Sequence, residues 1–222
     1  YYEICWLGFF QLAHNYHIAV VGDGGVKMQQ KPTESQERVS VLAGIVQAAN
    51  PVFIIIVICL PTAAVVYAIN WGSLTILNYV HVLFGGFWTG IDLFMGFILG
   101  PVLRTMQPKD RAELFKRLVP RMTFLMPVLA GVTITAGFQL IGRLGYPLDN
   151  PRIIAALVIT GILTLQGFGV LLPNEISMFR QLLSPRPDVN KISRLGMRNA
   201  ALGGIQGIFQ LAIIFDMAVL RF

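Results

Sequence analysis

The sequence predicts an all-α, polytopic transmembrane helical bundle, and three observations predict it. Of the 222 residues, 55% are hydrophobic and only 13% are charged, where a soluble domain carries about 25% charged residues. Mean hydropathy is +0.67. The few charges gather in connectors, leaving apolar stretches near or beyond the roughly 20 residues that cross a hydrocarbon core. The expected organisation is one membrane domain over residues 1–222 with five spans and an N-terminal segment that is a sixth span or an interfacial helix.

Taken in order, Tyr1 to Val21 carries no Lys or Arg and so lacks the basic start of a signal peptide. It is expected to be a shortened span or an interfacial helix. Leu42 to Tyr67 is the first full span, interrupted by Pro51 and Pro61. Each proline removes a backbone donor and favours a kink, a break or a later start. Leu77 to Leu103 is the second span. The stretch Pro108 to Leu118 (PKDRAELFKRL) reads as a short amphipathic helix with Leu114, Phe115 and Leu118 on its apolar side, docked on the membrane surface or on a partner subunit. Met122 to Ile141, Ile153 to Leu172 and Asn199 to Leu220 complete the spans.

Orientation follows from the basic residues. Arg104, Lys109, Arg111, Lys116, Arg117 and Arg121 fill one connector; Arg180, Arg186, Lys191, Arg194 and Arg198 fill another two crossings later. Both must face one side, which the positive-inside rule makes cytoplasmic, with Lys27, Lys31 and Arg38 on the same side and the C-terminus external. A prokaryotic cytoplasmic (plasma) membrane is the expected location. The net charge of +6 is accounted for by residues flanking spans and meeting anionic lipid, so nucleic acid is not an expected partner. The basic connectors 104–121 and 180–198 are candidate contacts for other membrane subunits.

Chemistry is concentrated on one face. His81, Gly85, Trp88 and Asp92 stand at i, i+4, i+7 and i+11, which places them together on a helix. Asp92 falls near mid-span, where a charge costs about 2.5 to 3.5 kcal/mol on insertion scales, so it should be protonated, paired or wet. His81 sits about 16 Å along the axis from Asp92 at 1.5 Å per residue, near the outer interface, so the two cannot hold one small ion together. There His81 is either a packing residue or a ligand for haem b or copper, with Trp88 packing or stacking on a porphyrin or quinone ring. Asn199, Gly203, Gln206 and Gln210 repeat the same spacing in the last span. Facing glycines, Gly203, Gly204 and Gly207 against Gly85, Gly86 and Gly90, would bring Gln206 and Gln210 to Asp92, as interhelical glue or as a proton or ion relay. Gln139 and Gln166 have the glue reading too. His14 and His17 form the only other histidine group. Their depth toward the inner leaflet is a poor match to His81 for a shared bis-histidine haem.

Several chemistries lack their motif. Cys5 and Cys59 form no ligand pattern, and there is no HExxH, Walker A or GxSxG sequence. Gly22 to Gly25 (GDGG) is a turn with no strand before it. Enzyme chemistry is not expected of this chain by itself.

The stretch Tyr79 to Arg104, YVHVLFGGFWTGIDLFMGFILGPVLR, followed by LFKRLVPRMTFLMPVLAGVTITAG, resembles the copper-resistance D (CopD-like) membrane proteins and related integral membrane families over residues 77–141. His81 and Trp88 are the positions that the resemblance carries over; Asp92 departs from the small or apolar residue more usual there. The resemblance implies a helical bundle that handles copper or haem or serves beside a respiratory oxidase. The Met-rich or His-rich external loops of a copper importer are missing from the segments described by this reading. Three functions follow as expectations: a non-enzymatic subunit linked to haem, metal or a respiratory redox complex through His81; a small proton- or ion-coupled transporter using Asp92 with Gln206 and Gln210; or a structural accessory subunit of a membrane complex.

Overall fold

A computed structural model describes residues 43–221. The N-terminal segment with His14 and His17 lies outside the described residues. Among these residues there is no strand, and five helices are long and apolar enough to cross a membrane. The all-α polytopic bundle read from composition is therefore the observed fold class.

The helices are α1 Pro51–Asn70, α2 Leu74–Thr105, α3 Pro108–Leu144, α4 Pro151–Leu182 and α5 Val189–Arg221. Each begins where the sequence supplies a start. Asn50 takes a left-handed φ of 73° and its side chain accepts the Val52 N–H at 3.0 Å. Pro51 then occupies the first turn, where a missing N–H costs nothing. Ser73 accepts from Ile76 N–H, Asn150 accepts from Arg152 N–H ahead of α4, and Asp188 accepts from Lys191 N–H at the start of α5. Gly145, at φ 68°, ends α3, and the Tyr146 N–H bonds back to Ile141 O.

These boundaries correct the expected spans. Residues 43–49 are helical but separated from α1 by Asn50, so the span expected from Leu42 starts at Pro51 and reaches Asn70. Pro51 is a helix start rather than a kink, and only Pro61 lies inside. The expected surface helix Pro108 to Leu118 is not separate. It is the first part of the 37-residue α3, which continues through Pro120 and Pro127. Phe115 does not lie on the membrane surface but is 2% exposed, inside a cluster with Leu103, Val119, Met178 and Ile192. Connectors 104–121 and 180–198 are likewise mostly helix, the true breaks being residues 106–107 and 183–188.

Two π-helical turns extend α2 and α4 past prolines. Phe94–Leu99 precedes Pro101, and the Gly100 N–H bonds to Met95 O five residues back. Gly167–Leu171 precedes Pro173, and the Leu172 N–H bonds to Gly167 O. A proline lacks the N–H and crowds the carbonyl four residues earlier, so a locally wider turn lets the helix continue.

The helices alternate in direction, so connectors 71–73 and 145–150 share one end of the bundle and connectors 106–107 and 183–188 share the other. Toward the first end α1, α2 and α3 meet around Val65, Leu77, Val80, Phe84, Val132, Ala136 and Leu140. Arg143 of α3 donates there to the carbonyl of Gly72 at 3.1 Å and to that of Ile69, closing the C-terminus of α1. Outward positions are apolar as well: Ile55, Leu60, Phe97, Leu165 and Phe215 are exposed. That arrangement suits a bundle solvated by lipid, where apolar surface has no reason to turn inward.

Candidate functional site

Asp92 of α2 is 3% exposed and lies at the crossing with α5. The Gln210 side chain donates from Nε2 to Asp92 Oδ2 at 3.0 Å, while Gln206 and Trp88 border the same cavity as the carboxyl. Gln206 and Gln210 are 3% and 4% exposed. The expected partnership of the two polar stripes is thus the observed geometry at this level. Gln210 Nε2 is turned to Asp92, and Gln206 Oε1 and Gln210 Oε1 are left buried with no hydrogen-bond partner among the described residues.

Glycines set the distance. A Cβ on Gly203 would lie 3.3 Å from Asp92 Oδ1, one on Gly204 2.8 Å from Gly96 Cα, and one on Gly207 2.8 Å from Leu93 Cδ2. Any larger residue would push α5 away from the carboxyl. The α5 half of the expected glycine contact therefore holds, but its α2 half is Gly96 rather than Gly86 and Gly90, which have nothing within 4 Å of a built Cβ. Gly85 packs against Thr133 of α3.

Asp92 also lines a cavity of about 150 Å³ bordered by α2, α3, α4 and α5. Its polar wall consists of Asp92, Glu175, Gln206, Asn199 and Thr164, and among the described residues no Lys, Arg or His lines it. Both π-helical turns contribute to it, through Met95 and through Gly167, Phe168 and Leu171. Glu175, on α4, accepts a hydrogen bond of 2.7 Å from Thr123 Oγ1 of α3. Asn199 accepts from Asn174 Nδ2 at 2.8 Å and donates to Leu171 O at 3.1 Å, while Gln166 donates to Leu202 O. Gln166 thus ties helices together as expected; Gln139 is exposed and does not.

Glu175 is absent from the sequence-based candidates because the fourth span was expected to stop at Leu172, ahead of Pro173. The signal that could have found it is Met178 and Phe179, which continue the apolar face at i+3 and i+4 from Glu175.

His81 faces elsewhere. Its ring packs on Gly137 of α3, and Nδ1 lies 2.9 Å from Thr133 O. The carbonyl can only accept, so Nδ1 carries the proton and Nε2 keeps its lone pair. The common face of α2 is therefore shared out: His81 and Gly85 to α3, Asp92 to α5, with Trp88 buried between them at 6% exposure. Among the described residues no three His, Cys, Asp or Glu side chains stand close enough to hold a metal ion. Comparison with protein-family models, with curated proteins and with solved structures finds no match.

Proposed function

We propose that this protein is a small proton- or cation-coupled transporter whose working group is Asp92. The observation that supports this most is a buried carboxyl at membrane depth, held by Gln210 and bordering a cavity that no basic side chain among the described residues lines. A carboxyl placed there for packing alone would be costly to retain, whereas one that exchanges a proton or cation through the cavity beside it has a reason to remain ionisable. The membrane is proposed to be the prokaryotic cytoplasmic membrane, with the basic 106–107 and 183–188 end inward by the positive-inside rule. Asp92→Asn keeps the size and one hydrogen-bond acceptor but cannot release a proton. In proteoliposomes it should reduce flux, read with an internal pH dye or a cation electrode, at least tenfold; flux equal to wild type overturns this reading.

A second reading has its own support. His81 donates from Nδ1 to a backbone carbonyl, an arrangement that fixes the tautomer of metal-bound imidazoles and leaves Nε2 as the ligating atom. Together with the resemblance over residues 77–141, it supports a haem- or copper-linked subunit of a respiratory complex. A Soret band or bound copper in the purified protein, lost in His81→Ala, would favour it; a colourless, metal-free protein would remove it.

A further inference from the structure

We infer that Glu175 is the second station of the Asp92 cavity and that the species passed between the two carboxyls is a proton carried by water. The inference rests on the transporter reading for its direction of use, and on the cavity itself for its chemistry.

Three observations bear on it. Both acids line the same cavity, and among the described residues no other titratable side chain does. Two full negative charges in a low-dielectric chamber with no cationic side chain among the described residues repel and are poorly solvated, so one proton held between them is the stable loading. The second observation concerns Gln206. It lines the cavity, is 3% exposed, and leaves Oε1 with no partner among the described residues. An orphaned acceptor calls for a donor, which water or a protonated water supplies and an anion does not. The third is the placement of polar groups along α5. Asn199 and Gln206 are seven residues apart, about 10 Å at 1.5 Å per residue, and Glu175 stands near the Asn199 level while Asp92 stands at that of Gln206 and Gln210. At about 150 Å³ the cavity has room for several waters between them.

The transfer balances without any other reactant. The O–H bond of Glu175 breaks and its proton joins the nearest water; that file releases a different proton to Asp92, forming an O–H bond there. One negative charge moves from Asp92 to Glu175, and nothing is oxidised or reduced. Thr123 Oγ1, which also bonds to Val119 O, shares its single proton between the two acceptors, so it holds Glu175 in either protonation state by turning its hydroxyl.

The test is an infrared titration of the full-length protein in lipid nanodiscs, following the protonated carboxyl stretch. Wild type should show two bands assignable by Asp92→Asn and Glu175→Gln. Removing either acid should displace the titration midpoint of the survivor by about one pH unit, the mark of sites that share a proton. Thr123→Val, which keeps both acids, should alter the Glu175 band and slow proton flux in proteoliposomes. An Asp92 band indifferent to Glu175→Gln overturns the inference, whatever the flux. A flux that requires sodium at constant pH overturns it too. Absence of flux in wild type, with coupled bands, would sink the transporter reading while leaving the two-station cavity in place.

Discussion

Replacing Gly204 by alanine should loosen the crossing that holds Asp92. A Cβ at Gly204 would stand 2.8 Å from Gly96 Cα, whereas carbon atoms rest at about 3.5 Å or more, so α2 and α5 must part by about 0.7 Å. The obstacle is backbone, and no rotamer change relieves it. Gln210 lies six residues further along α5, and a displacement of that size stretches its 3.0 Å bond to Asp92 beyond the ~3.5 Å at which a hydrogen bond still counts. Overpacking costs about 1–3 kcal/mol, loss of an interhelical bond in a membrane adds about 0.6 kcal/mol, and the better helix propensity of alanine returns up to about 1 kcal/mol. A net loss of about 2 kcal/mol is expected. The assay is SDS-driven unfolding in mixed micelles, followed by tryptophan fluorescence, with Gly86→Ala and Gly90→Ala as controls. Nothing lies within 4 Å of a Cβ at either control, so each should be neutral or gain up to about 1 kcal/mol. Equal midpoints for Gly204→Ala and Gly90→Ala would refute the close crossing.

Three further outcomes follow from the packing. Gly196→Ala should destabilise, because its Cβ would overlap the Phe115 ring, and Phe115→Leu in the same chain should recover part of the loss, a coupling of about 1–2 kcal/mol in a double-mutant cycle by the same unfolding assay. Arg143→Ala should release the carbonyls of Gly72 and Ile69, costing about 1 kcal/mol and speeding hydrogen exchange of the last turn of α1 roughly fivefold. Gln210→Leu should cost about 1 kcal/mol in a wild-type background and close to nothing beside Asp92→Leu, since the membrane hydrogen bond is then already gone.

The elements were legible where apolar length decided them and illegible where proline did. Composition alone identifies the bundle, and the matched spacing of Asp92 with Gln206 and Gln210 identifies the crossing that joins them. The one-face argument for His81 fails as a statement about a common partner, because a face of more than three turns meets different helices along its length: α3 at His81 and α5 at Asp92. Pro108 opens a helix in its first turn, as expected, but that helix does not end at Leu118 and the fourth span does not end at Leu172: Pro120 and Pro173 both lie within continuous helices. Periodicity carries no sign of a π-helical turn, so the only sequence marker of the continuation of α4 to Glu175 is the apolar pair Met178 and Phe179 beyond it.

The same π-helical turns explain why the acids sit where they do. A turn wider than the α-helix is intrinsically poor in packing and hydrogen-bond geometry, so its retention needs a compensating role. In α2 the wide turn begins two residues after Asp92; in α4 it ends four residues before Glu175. Both face the cavity rather than lipid on at least one side, through Met95, Gly167 and Leu171. If proline accommodation were the whole explanation, the turns would have no reason to border one chamber. Both wide turns border the chamber that the two carboxyls line, and in α2 the same turn carries Gly96, which sets the close approach of α5 to the Asp92 level. The instability of the wide turn and the cost of the buried acid are thus parts of one arrangement, and relieving either should narrow the chamber that makes the other useful.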